Sequence, residues 1–251
     1  MLIAMVMMML SACGGGGGSA TPAAVTQTYT GLEVEGGGEA GVASVVGTGD
    51  DAVYTYNYQG TPVDVTLDGA TPIGGFVHIT EGAIAKHIGG TTYSYSRFGV
   101  VATYYSYSGS SITPAAEAPR YVDGEVFYVG QKTSSMPTVG TASYSGHLTT
   151  LSISGQFQDA SIGFDVNYGD KKIKGGFQDA GPALFGESLF FDGDIDGSDF
   201  SGTATASSWN NGGTFSGSFF GPDAEELGGT GVLSDSEDGA LGFSFGAQKN
   251  D

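Results

Sequence analysis

The sequence predicts an all-β protein, and three observations carry that prediction. Glycine is abundant, at 45 of 251 residues, and it comes with many Ser, Thr, Tyr and Phe. That composition alone would suit disorder, but hydrophobic residues make up 39% of the chain. Apolar and polar residues alternate with a period of two over many short runs bounded by turn residues, the mark of strands with one buried face. No stretch longer than a turn or two shows helical periodicity.

The first element is an apolar run, Met1 to Leu10, closed by Ser11-Ala12-Cys13. It is too short to span a bilayer, which takes ~20 residues, but suits the apolar region of a signal peptide. Leu10-Ser11-Ala12-Cys13 resembles a lipobox, in which the cysteine is diacylated and the chain is cut before it. We therefore expect residues 1–12 to be a lipoprotein signal peptide and Cys13 to carry a membrane anchor. Cys13 is the only cysteine, which rules out an internal disulfide, and Gly14 to Gly18 after it make a flexible tether reaching to about residue 28. Gly14 in place of Asp resembles lipoproteins sent on to the outer membrane. No Lys or Arg precedes the apolar run, which points to a true start further upstream.

Beyond the tether, aromatic usage divides the chain. Twelve of the 13 Tyr lie before residue 150 and twelve of the 15 Phe after it. Phe suits a closed core, whereas Tyr carries a hydroxyl that needs a partner and is common where proteins bind. This predicts a smaller Tyr-rich β domain over 29–118 and a second domain over 119–251. The boundary is expected near Ile112 to Pro119, where two prolines interrupt the alternation. In the first domain Tyr54, Tyr56 and Tyr58 share one sheet face, as do Tyr93 with Tyr95 and Tyr105 with Tyr107. Such a face is either core or binding surface, and the scarcity of Phe favours binding.

The second domain reads as eight strands: Gly140–Leu148, Ser161–Tyr168, Lys171–Gln178, Ser188–Asp194, Phe200–Ala206, Gly213–Phe220, Leu227–Leu233 and Ala240–Gly246. Tyr168-Gly169-Asp170-Lys171 and Asp196-Gly197-Ser198-Asp199 read as hairpin turns. Eight antiparallel strands with alternating Phe can close into a barrel filled by its own side chains, which removes exposed edges. A membrane-spanning barrel would need strands of ~9–11 residues and an apolar outer band, and these strands look shorter and polar outside.

Charge narrows the partners. Eight Lys and Arg stand against 27 Asp and Glu, a formal net charge of −19. That surface repels nucleic acid and anionic lipid, and favours solubility or a basic partner. Catalytic and metal motifs are weak. Gly242-Phe-Ser244-Phe-Gly246 fits the pattern of a nucleophile elbow, but no histidine follows it. Asp192, Asp194 and Asp196 begin like a calcium loop, yet the twelfth position is Thr203, so they read as an acidic outer strand face. Lys171, Lys172 and Lys174 read as a solvated hairpin tip. We expect no catalytic site, no resident metal and no cofactor.

Two segments carry a resemblance to a known family. Phe219-Phe220-Gly221-Pro222-x-Ala224-x-Glu226-x-Gly228-Gly229, followed by Gly242 to Lys249, resembles the end of the barrel domain of transferrin-binding protein B. Met136-Pro137-x-x-Gly140-Thr141-Ala142-x-Tyr144-x-Gly146 is similar to the first strand of the same barrel. In physical terms the first segment reads as a closure device: a strand end, a Gly-Pro turn, one helical turn over Asp223 to Glu226, and glycines that let the next strand start close by.

The resemblance implies a carboxy-terminal eight-stranded antiparallel barrel preceded by a handle domain, in the manner of single-barrel surface lipoproteins. Members of that wider family bind host proteins or haem, and several reach the cell surface through a dedicated outer-membrane translocon. By that analogy the Tyr-rich half is the expected binding region. It contains His78, His87, Tyr93, Tyr95, Tyr105 and Tyr107 as candidate ligand-binding residues, with haem the small ligand to consider. His147, just past the first motif, reads as structural. The leading expectation is a monomeric outer-membrane lipoprotein that binds a host protein or a haem-type iron source. The alternative is an envelope lipoprotein whose partner is another envelope component.

Overall fold

The computed structural model describes residues 26–33, 41–48, 51–67, 70–105, 120–151, 157–178, 188–206, 209–235 and 239–250. Cys13, Tyr107, the signal segment, the tether and the prolines near residue 115 lie outside the described residues, as does the side chain of Tyr105.

The barrel consists of β10 (Thr141–Leu151), β11 (Phe157–Asn167), β12 (Lys172–Gln178), β13 (Ser188–Asp196), β14 (Asp199–Ala206), β15 (Trp209–Phe220), β16 (Glu226–Asp235) and β17 (Gly239–Lys249). Each pairs antiparallel with the next, and β17 returns to β10 to close the cylinder. The alternation that predicted these strands is the alternation that buries them. On β13, Leu189, Phe191 and Ile195 point inward while Asp192, Asp194 and Asp196 face solvent. The interior is filled by a Phe cluster, with Phe191 touching Phe215, Phe243 and Phe245 at centroid separations of 4.9, 5.7 and 5.6 Å. It is a packed core rather than a pore.

All strands but β12 run longer than the sequence suggests, reaching 12 residues in β15. Length therefore does not separate this barrel from a membrane-spanning one. Composition does, because the outward positions of β13 and β14 carry Asp192, Asp194, Asp196, Thr203 and Thr205, with Phe190 the apolar exception, rather than a continuous apolar band. Both expected hairpins form, with Asp196 paired to Asp199 across the tighter one. The stretch expected to make one helical turn is instead a turn from Gly221 to Ala224, with Ala224 in the left-handed region at φ 55°.

The handle is a two-sheet sandwich. One sheet has the order β1 (Thr26–Thr30), β3 (Val42–Val46), β4 (Val53–Tyr58), β5 (Thr61–Asp64). The other has the order β2 (Leu32–Glu33), β9 (Arg120–Gly130), β8 (Ser96–Tyr105), β7 (Ile84–Gly89), β6 (Phe76–Glu81). The expected boundary at Ile112 to Pro119 thus falls inside the handle. β9 pairs with β8 from Ser96 opposite Gly130 to Tyr105 opposite Arg120, and the sheets change only between Gly130 and Thr141.

The Tyr54, Tyr56 and Tyr58 face is core, contrary to the lean toward binding; each ring is at most 2% exposed. Tyr56 stacks on Phe127 across the sandwich at 4.8 Å. Tyrosine serves where Phe would not because the hydroxyls reach polar groups of the opposite sheet: Tyr56 donates to the Glu125 carboxylate and Tyr58 to the Asp123 carbonyl. Tyr29 does the same, donating to the Gly130 carbonyl at 2.9 Å. A buried hydroxyl that finds a partner avoids the cost of an unmade hydrogen bond.

Candidate functional site: the seam between handle and barrel

Antiparallel register brings the chain's three histidines to one place. On β6 and β7, His78 sits directly opposite His87, and Phe76 lies on the same face as His78. The barrel approaches this face with Phe157 and Asp159 at the start of β11 and His147 on β10. His87 is sandwiched: Phe76 stacks on one side at 4.6 Å and 14°, Phe157 on the other at 4.7 Å and 7°. Its Nε2 lies 2.9 Å from both carboxylate oxygens of Asp159. An ionised carboxylate only accepts, which assigns the proton to Nε2.

His78, at the rim, is 5.8 Å from His87 and 5.3 Å from Phe157, and His147 meets the edge of Phe76 at 5.8 Å. Burial holds both His78 and His147 below the usual histidine range, joined at His78 by the nearby His87 and opposed at both by Asp159. Both are therefore neutral imidazoles at pH 7. Among the described residues, no group of His, Cys, Asp and Glu has the arrangement to hold a metal ion.

The other half of the seam is built by the motif that the sequence suggests as a barrel closure. Glu226, 1% exposed, accepts from the backbone amides of Ser94 and Tyr95 at 2.8 and 3.2 Å and from the Ser96 hydroxyl at 2.7 Å. Burial raises its carboxyl above the ordinary range, and these hydrogen bonds with the nearby Arg97 charge pull it partly back. Gly221, at φ 84°, leaves room for Tyr95; a Cβ there would stand 2.7 Å from Tyr95 Cδ2. Gly246 does the same for Phe98 at 2.4 Å.

Phe219 points into the barrel, whereas Phe220 points out and joins the handle core beside Tyr29 and Tyr128. Ser244, the serine of the elbow-like pattern, is fully buried and donates to the Phe127 carbonyl at 2.6 Å. It fastens β17 to the handle. The same motif also closes the barrel. Tyr144 donates to the Ala224 carbonyl at 2.6 Å, Tyr168 lies 2.7 Å from its hydroxyl, and Gly140 accepts from the Tyr168 amide at 3.0 Å. At Gly146 a Cβ would stand 2.0 Å from the Gly246 carbonyl and 2.8 Å from the Ala247 methyl, so β10 approaches β17 there only because Gly146 has no side chain. Gly229 likewise makes room for the Phe245 ring, and Gly228 lies beside Phe220. Met136 packs partly buried on the barrel core, Pro137 is half-buried beside it, and Pro222 is exposed at the turn.

Of the candidate ligand-binding residues, His78, His87, Tyr93 and Tyr95 all come to the seam. His87 and Tyr93 are buried, and the Tyr93 hydroxyl points to the Gly246 carbonyl at 3.4 Å. Burial, with Glu226 near, pushes the Tyr93 phenol well above its ordinary range. Asp159, Phe157 and Phe76 complete the arrangement and were not singled out by sequence; Asp159 lies 72 positions from His87, and no local spacing links them. Along β12 and β13, Asp192 and Asp194 pair with Lys174 and Lys172 at 2.9 and 2.5 Å. This is a solvated ladder of opposite charges.

A two-sheet handle docked on a filled eight-stranded barrel defines a lobe, and that lobe has relatives. Residues 136–249 match the family described as the C-lobe and N-lobe beta barrels of Tf-binding protein B, and the barrel of this chain is similar to those barrels. A mutant transferrin-binding protein B from Haemophilus parasuis Hp5 superposes with TM-score 0.61 at 20% identity, over 90% of this chain and 45% of that one. The isotype 1 protein from serogroup B Neisseria meningitidis gives 0.60 at 17%, over 93% and 45%. At these identities the likeness establishes the shared fold. An uncharacterised protein of Haemophilus influenzae Rd is 28% identical over 152 residues, 57% of this chain and 49% of that one. The chain thus spans about half the length of the relatives it matches.

Proposed function

We propose that this chain forms one handle-and-barrel lobe of a lipid-anchored binding protein of the outer-membrane surface whose ligand is a host protein. The observation that carries the reading is the extent of the structural match: nearly all of this chain, handle and barrel together, aligns with under half of the Haemophilus parasuis and Neisseria meningitidis proteins. That is the share expected of one lobe from a protein built of two. The seam supports it, because a handle fixed to a rigid barrel presents its loops in one orientation, which lowers the ordering cost of binding. Cys13 and the glycine tether supply the anchor in this reading, and a surface-export translocon would carry the chain across. The role is binding rather than catalysis, since Ser244 serves as a fastening.

A protein ligand is favoured over haem at His78 and His87. Both faces of the His87 ring are covered by phenylalanines and its Nε2 is held by Asp159. Axial ligation there would require prising the seam apart. The test is an affinity capture with the detergent-solubilised full chain against host serum, haem and envelope extract. We expect a serum protein to be retained, and no Soret band that depends on His78 and His87. Retention of an envelope component alone would overturn the proposal in favour of a structural role, and a Soret band lost on replacing both histidines would restore haem.

A further inference from the structure

The seam also leaves an opening. Where the handle turn at Gly75 and the 90–93 loop stand over β10, β11 and β12, there is a cleft of about 630 Å³. Ligand sites commonly measure about 300–1,000 Å³. Although the chain carries 27 Asp and Glu and eight Lys and Arg, none of those among the described residues lines this cleft. Its polar groups are all neutral, from Thr92, Ser145, His147, Ser161 and Gln248, and they lie beside the rings of Tyr93 and Phe177.

We propose that this cleft is a binding site for a neutral, polyhydroxylated ligand, a glycan, distinct from the protein-binding role of the lobe. An anionic or cationic ligand would find no counter-charge among the described lining residues and would lose hydration without one. A sugar offers what this lining can use: hydroxyls that both donate and accept, and C–H faces that pack on aromatic rings. His147 is the most telling residue. It is half-buried, meets the edge of Phe76 at 5.8 Å, and lines the cleft directly. As a neutral imidazole it has one donor and one acceptor to offer to a neutral ligand.

The cleft is also shaped before any ligand arrives. The Glu226 clasp and the His87–Asp159 pair hold its two walls together. At Gly75, where φ is 93°, a Cβ would stand 2.5 Å from the His147 ring, so the turn sits against the imidazole only because it lacks a side chain.

The experiment applies the labelled, detergent-solubilised full chain to an array of neutral hexose and hexosamine oligosaccharides with their sialylated counterparts. The strongest neutral glycan is then titrated by calorimetry and by NMR of the histidine ring resonances at pH 7. Neutral glycans should bind, and the His147 resonances should move. Ser161→Arg, at an exposed position of β11, should weaken binding about tenfold or more by filling the cleft and displacing one or two hydrogen bonds. Thr203→Arg, exposed on the other side of the barrel, should leave it unchanged. The proposal falls if no neutral glycan is retained, if sialylated glycans are preferred, if Ser161→Arg binds as the wild type does, or if the His147 resonances stay still.

Discussion

At the scale of single residues, Glu226 decides how the lobe responds to pH. Its carboxyl is raised above the ordinary value of 4.5 in the folded chain, chiefly by burial. The folded state therefore holds this proton more tightly than the unfolded state. Its contribution to stability is greatest in acid and falls as pH rises from about 4.5 through the raised folded value, levelling above it. Glu226→Gln keeps an acceptor for Ser96 and the Tyr95 amide but cannot ionise. Urea unfolding at pH 4.5, 6 and 7.5 should therefore show the wild type losing stability relative to the Gln variant as pH rises. A constant difference across that range would refute the assignment. Glu226→Ala should cost about 2–3 kcal/mol at pH 7, because three donors then lose their acceptor.

At the scale of elements, the turn between β15 and β16 sorts two neighbouring rings, Phe219 into the barrel and Phe220 into the handle. Phe220→Ala should cost about 3–5 kcal/mol, as for a large ring removed from a packed core. The loss should be local: hydrogen exchange should quicken in β1, β4 and β9 while β11 to β14 keep their protection. Uniform quickening would mean that Phe220 belongs to the barrel. The sequence discloses the motif but not this division, because Phe219 and Phe220 are alike except for the face they take.

The same limit governs the rest of the reading. β13 is legible because Leu189, Phe191 and Ile195 alternate with aspartates. β15 and β17 extend beyond their apolar runs through Trp209 to Gly212 and through Ala247 to Lys249, where glycine and polar residues give no two-residue signal. β9 is hidden by a register shift opposite Ala102 and Thr103 and by Asp123, at φ 50°, which break its alternation. The seam has no local signature, since its pairs join residues some 70 to 150 positions apart, as in His87 with Asp159 and Tyr93 with Gly246.

At the scale of the whole molecule, the two halves depend on each other unequally. Among the described residues, the barrel core, from Tyr144 to Ala247, draws no side chain from the handle. The handle core draws Phe220 from the barrel, and Tyr29, Tyr93 and Phe98 pack or hydrogen-bond at the seam. A small two-sheet sandwich already buries a modest share of its surface, so loss of a ring and of one covered face weighs heavily on it. A fragment of residues 131–251 should therefore unfold in a single cooperative transition with a native near-ultraviolet spectrum. A fragment of residues 19–130 should show neither, and should gain both when the barrel fragment is added. If the handle fragment melts cooperatively alone, the seam joins two self-sufficient domains, and the fixed presentation of handle loops would no longer follow from the fold. If the handle gains order only with the barrel, the lobe is the unit that any ligand meets, and substitutions at the seam should weaken capture of that ligand without touching it.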